Sequence, residues 1–245
     1  MRTLKTISFS PTVSRPAARI SPVKVVALSN LAAYKPARKP IDIYGGQPNS
    51  WLSLADASLL LKKQIGLAAR QKEYARAVAL LDRLITYEPH SAEHYANRGL
   101  MHYFLQATEK ALADYNRALV IDPALDKAYS NRANLYAAQQ NWAAAIADYD
   151  RAIDLNPLNA RARLNQAITF REMGEYEEAL ICLDIAMFFE PTSAFLRAER
   201  GRIYHLQGDW NGAIADYKKA LLLIEPAHSH DALTRQILRW MSNFE

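Results

Sequence analysis

At 245 residues, half of them hydrophobic, the chain is long enough for one large domain or for a stack of repeated units. No apolar run approaches the roughly 20 residues needed to cross a bilayer, so no segment reads as a membrane-spanning helix. The net charge of +5 is unevenly held: residues 1–50 carry eight Lys or Arg against the single acid Asp42, leaving 22 basic and 24 acidic residues for the remainder. The basic character therefore belongs to an arm, and a nucleic-acid reading of the whole chain is unsupported.

Residues 1–50 show no sustained hydrophobic period. Six of the eleven prolines fall here, too close together for a long helix, and Gly45-Gly46 and Pro48-Asn49-Ser50 read as turns. Richness in Arg and Ser, with no acid before Asp42, fits an organellar transit peptide, mitochondrial or plastid. Against that, only Leu4, Ile7 and Phe9 could form an apolar face ahead of Pro11, and the run Val25–Leu28 is too short for a secretory core. The other reading is a basic tail on a cytoplasmic protein, ordering on a partner or an anionic surface.

From residue 51 the pattern changes. Pro89, Pro123, Pro157 and Pro191 stand 34 residues apart, and each must end a helix. Asp126–Pro157, DKAYSNRANLYAAQQNWAAAIADYDRAIDLNP, holds two amphipathic helical patterns joined by a polar bend at Gln139-Gln140-Asn141. On the same period lie three small-residue columns: Gly99, Ala133, Ala167, Gly201; then Ala111, Ala145, Ala179, Ala213; then Ala118, Ala152, Ala186, Ala220. A large-residue column, Tyr115, Tyr149, Leu183, Tyr217, accompanies them. Small side chains let two helices approach, and a large neighbour fills the space beside each crossing. Tyr74, Trp142, Tyr176 and Trp210 open the second helices and can plug the bend, with Thr108 breaking that column.

These columns resemble the tetratricopeptide repeat, whose pattern is a large residue, Leu-Gly and an aromatic in the first helix, then Ala, an aromatic and a closing Pro. Tyr95, Gly99, Ala111, Tyr115 and Pro123 supply most of it, as do Tyr129, Ala133, Tyr136, Ala145, Tyr149 and Pro157. The resemblance implies an all-α, right-handed solenoid of five helix-turn-helix repeats in residues 51–227: about 58–91, degenerate because Ile65 occupies the small-residue place, then 92–125, 126–159, 160–193 and 194–227. Residues 228–245 read as a capping helix, with Asp231 at its N-terminus, Leu233, Ile237, Leu238 and Met241 as the packing stripe, and Arg235, Gln236 and Arg239 toward water.

The resemblance also implies that first helices line a concave groove. Its expected binding residues are Asn97, Asn131 and Asn165, together with Tyr103, Lys127, Asn134, Arg161 and Arg202. An amide offers two donors and an acceptor, so three at one period could grip an extended backbone largely irrespective of its sequence. In similar proteins, a Lys, two Asn, a second Lys and an Arg clamp a C-terminal carboxylate; here the places fall on Lys62, Gly66, Asn97, Lys127 and Asn131, and two of the five do not match. Arg98, Arg132 and Arg200 repeat beside the ladder, where pairing with acids is the expected role.

No chemistry beyond binding is indicated. The chain has no phosphate-binding glycine loop, no HExxH and no CxxC, and Cys182, the single cysteine, lies in a helical pattern as a buried, inert thiol that can form no intrachain disulfide. His228-Ser229-His230 reads as a polar linker rather than a metal site. The expectation is a non-enzymatic scaffold without cofactor, metal or small-molecule substrate, binding a protein partner or peptide. The alternative is an assembly or adaptor factor held mainly through its basic arm to an acidic complex, membrane surface or nucleic acid.

Overall fold

In the computed structural model, residues 54–224 and 232–242 are described, and among them every regular element is helical. The expectations for the arm, for Asp231 and for His228 and His230 lie outside these residues. The first helix, α1, runs Leu54–Arg70 and pairs with α2, Tyr74–Tyr87. Four further hairpins follow: α3 (Ala92–Phe104) with α4 (Thr108–Ile121), α5 (Asp126–Ala138) with α6 (Trp142–Leu155), α7 (Ala160–Met173) with α8 (Tyr176–Phe189), and α9 (Ala194–Gln207) with α10 (Trp210–Leu223). The cap, α11, spans Ala232–Met241.

The chain reverses inside each hairpin by one repeated device. Lys72, Gln106, Gln140, Gly174 and Gly208 occupy equivalent places, and all adopt positive φ, between 60° and 86°. The next residue's N–H then reaches back to a carbonyl in the first helix's last turn: Ala107 to His102, Asn141 to Tyr136, Glu175 to Phe170 and Asp209 to Tyr204, each at 2.9 Å. The aromatic plugs sit as expected on the first residue of the second helix, and Tyr74 stacks on Phe104 with ring centroids 4.7 Å apart. Each of the first four second helices stops two residues before its proline.

Packing follows the columns. The eight alanines of the two second-helix columns are fully buried, as are Tyr115, Tyr149, Leu183 and Tyr217. Burying one such large side chain contributes on the order of 2–3 kcal/mol. Gly99 is required by the closeness of the crossing: a Cβ there would lie 2.7 Å from the Tyr115 ring, and one at Gly201 would lie 2.9 Å from Tyr217. Consecutive first helices touch one another (α3 with α5, α5 with α7, α7 with α9), while second helices make no comparable contacts. The first helices therefore form the inner rank and the second helices the outer one.

The cap differs in detail from its sequence reading. Helix α11 packs on α9 and α10 through Ile237 and Thr234, with Leu233, Trp240 and Met241 beside them. Leu238, expected in the stripe, is 51% exposed. The buried set runs i, i+1, i+4, i+7, i+8 from Leu233, and Leu238 falls just outside that arc, beyond Thr234.

Candidate binding face

The inner rank is held in register by a repeated buckle. Arg98 Nε and Nη2 donate to the two carboxylate oxygens of Asp114 at 2.9 and 2.6 Å, while Nη1 donates to Asp82 of the preceding repeat at 2.7 Å. Arg132 repeats this with Asp148 at 2.7 and 2.8 Å and Asn116 at 2.7 Å, and Arg200 with Asp216 at 2.6 and 2.9 Å and Asp184 at 2.7 Å. A bidentate fork of this kind fixes geometry as well as energy. The hydrogen bonds to Asp114 and Asp216 raise the Arg98 and Arg200 pKa values above their already high ordinary value. These arginines belong to the scaffold, in keeping with their spacing.

The fourth repeat replaces the buckle. Gln166 stands in the arginine's place and donates to Asp150 at 2.6 Å, and Cys182 stands where the three buckled copies have Asp. The thiol donates to Gln166 Oε1 at 3.5 Å, and burial pushes its pKa up to about 11. Cys182 is therefore a protonated packing group.

Beside the buckles lies the asparagine ladder, and its three members are not equivalent. Asn97 is exposed, Asn131 is half-buried and Asn165 is only 3% exposed, with its Nδ2 lacking a partner. Lys127 is exposed, and Tyr103 and Arg161 are half-buried. Tyr103 leans edge-on against Phe104 at 5.8 Å, and burial raises its pKa. Asn134 is buried, accepting the Tyr149 hydroxyl at 2.6 Å beneath the surface, so it serves the core instead of presenting its amide.

Toward the C-terminal end the face fills with the protein's own side chains. Arg171 is buried against Glu172 at 3.0 Å and Glu199 at 3.5 Å, and Glu199 itself is 6% exposed. Phe195 packs into the core of the fourth repeat. The Arg202 guanidinium lies 5.0 Å from the Trp240 ring, which stacks on Tyr217 at 5.7 Å, and burial lowers the Arg202 pKa. Arg202 thus forms part of the cap interface. Trp240 is absent from the expected packing stripe of Leu233, Ile237, Leu238 and Met241; the available signal is an aromatic three residues after Ile237, on the packing arc.

The carboxylate-clamp places are also partly spent. Lys62 Nζ contacts both oxygens of Glu88 at 3.0 and 2.9 Å, and His94 Nε2 approaches the same carboxylate at 2.6 Å. The His94 and Lys62 hydrogen bonds together hold the Glu88 carboxyl down at about 2. Among the described residues, no cluster of three or more His, Cys, Asp or Glu could hold a metal, and no helix is long and apolar enough to cross a membrane.

Three stretches match family models described as tetratricopeptide repeat: residues 64–126, 126–159 and 148–181. Among solved structures, the chain is similar to TTC0263, a thermophilic TPR protein of Thermus thermophilus, at 19% identity, covering 77% of this chain and 99% of that one with a TM-score of 0.64. It is similar to MamA from Desulfovibrio magneticus RS-1 at 16% identity, covering 74% and 100%, with a TM-score of 0.59. YrrB, described as a TPR protein with an unusual peptide-binding site, matches at 17% identity over 74% and 92%, with a TM-score of 0.53. At these identities the likeness concerns the fold. No curated protein matches the sequence.

Proposed function

Because the chain belongs to the tetratricopeptide repeat family, we propose that it is a non-enzymatic interaction scaffold holding an extended peptide or partner segment on its inner face, across α3, α5 and the start of α7. The observation that carries this reading is the pair Asn97 and Asn131. They occupy one place in successive inner helices and present amides that the packing does not use, next to arginines that packing does use. Each amide can donate to a peptide carbonyl and accept from a peptide N–H, which suits a ligand read by its backbone. Lys127, Tyr103 and Arg161 flank them and would add side-chain selectivity. The peptide-binding site ascribed to YrrB, which shares the fold, supports the same class of function.

The test is selection of short unstructured peptides on the full-length protein, repeated with Asn97, Asn131 and Asn165 all changed to Ala. The variant should retain wild-type helicity by circular dichroism and select nothing. Undiminished selection would remove the ladder from the reading. A second reading, anchoring through the basic arm, is favoured by the charge split between residues 1–50 and the acidic remainder. Under it, binding to an anionic surface falls steeply with added salt and is lost when the eight arm Lys and Arg are neutralised.

A further inference from the structure

The five outer helices provide an internal control for one surface. At three exposed places the repeats read Ala79-Arg83-Thr86 on α2, Ala113-Arg117-Val120 on α4, Ala147-Arg151-Asp154 on α6 and Ala215-Lys219-Leu222 on α10. On α8 the same places read Ile181, Ile185 and Phe188, which are 60%, 38% and 81% exposed. A small residue and a base have been exchanged for a continuous apolar stripe at helical spacing, on the face opposite the ladder. The repeat fold does not need it, since four copies stack without it. An exposed apolar patch of this kind marks a contact.

The rim of the stripe narrows the choice of occupant. Glu175, Glu177, Glu178 and Glu190 are exposed, no Lys or Arg lies between residues 175 and 190, and Asp184, also exposed, is already engaged by Arg200 of α9. What covers the stripe should be apolar at its centre and basic at its edges. The chain itself contains such a segment. Val23–Lys35, VKVVALSNLAAYK, is the longest proline-free stretch of residues 1–50, has no acid, and carries Val25, Val26, Leu28 and Leu31 between Lys24 and Lys35. Reach is sufficient. The 18 residues between Lys35 and Leu54 can span about 60 Å when extended. Leu54 opens α1, and the path of touching helices α1–α2–α3–α5–α7–α8 crosses five spacings, at most about 50 Å.

We infer that residues 23–35 fold back on their own molecule and cover the Ile181–Ile185–Phe188 stripe, Val25 and Leu28 on the apolar surface and Lys24 and Lys35 against the α8 acids. This surface is separate from the peptide groove, and its test is independent of that reading. The experiment places a photo-crosslinking p-benzoylphenylalanine at residue 188 of the full-length protein, with the same group at Asp154 as the control on α6. The expected result is an intramolecular crosslink from residue 188 into residues 23–35, absent from residue 154 and lost on Val25→Asp with Leu28→Asp. A crosslinked dimer would overturn the proposal by making a second copy the occupant. So would the absence of any crosslink to the arm, or a yield that those two substitutions leave unchanged.

Discussion

The inner face at α3 and α5 and the inner face at α7 and α9 are cut from one 34-residue template, yet they end in different states. At the first, Asn97 and Lys127 face solvent and Asn131 is half-exposed; at the second, Asn165, Arg171 and Glu199 are buried and Trp240 lies over Arg202. The backbone period is the same, and so are the buried alanines. What differs is the side chains on the inner rank. Phe195, Arg171 and the cap fill space that Glu93, Ala137 and open solvent leave free at the other end. Repetition therefore specifies where a ligand could lie, and departures from it decide which part of that surface stays available.

The largest expected effect follows directly. Asn97→Ala with Asn131→Ala should abolish peptide selection with no change in melting temperature, whereas Asn165→Ala should alter melting temperature and leave selection nearly intact. Equal binding losses for the two sets would erase the distinction between the halves. The buckles sharpen it next. Arg132→Ala leaves Asp148, which is almost wholly buried, without its fork, and should destabilise by about 3 kcal/mol in denaturant unfolding. Gln166→Ala removes the bond to Asp150 and the weak one from the Cys182 thiol and should cost only about 1.5 kcal/mol.

Smaller effects come from the bends. Gln106 and Gln140 hold φ near 60° where the C-terminal repeats use Gly174 and Gly208. Gln140→Gly should therefore stabilise by about 1 kcal/mol and Gly174→Ala destabilise by a similar amount, both read from the denaturant midpoint. The smallest is a pH effect at the N-terminal end. The Glu88 carboxyl sits at about 2, below its ordinary value of 4.5, so its stabilising contribution is complete above pH 4.5 and is lost as pH falls toward 2. His94→Ala removes the principal cause and should move the acid-unfolding midpoint upward.

Much of the fold was legible because its determinants are local and recur. A proline every 34 residues, alanines at the crossings and tyrosines beside them dictate hairpins that can bury their faces only against copies of themselves. The buckle arginines were legible for the same reason: three long basic side chains at one period point to pairing with acids, and the structure identifies those acids as Asp114, Asp148 and Asp216. The ladder was legible only as a column. Its members share a residue type and a register, and nothing local distinguishes exposed Asn97 from buried Asn165, because burial on this face depends on how neighbouring repeats pack.

By itself the sequence determined the helix-turn-helix period, the bends, the buried columns and the class of surface that inner helices present, since each depends on side-chain volume and spacing within about one repeat. Only the tertiary structure decided that Asn134 serves Tyr149, that Lys62 is committed to Glu88, that Trp240 closes the last repeat and that Leu238 turns outward. Those outcomes depend on which distant side chains converge. The curvature of the stacked helices and the angle of the cap settle that, and neither is written in any single repeat.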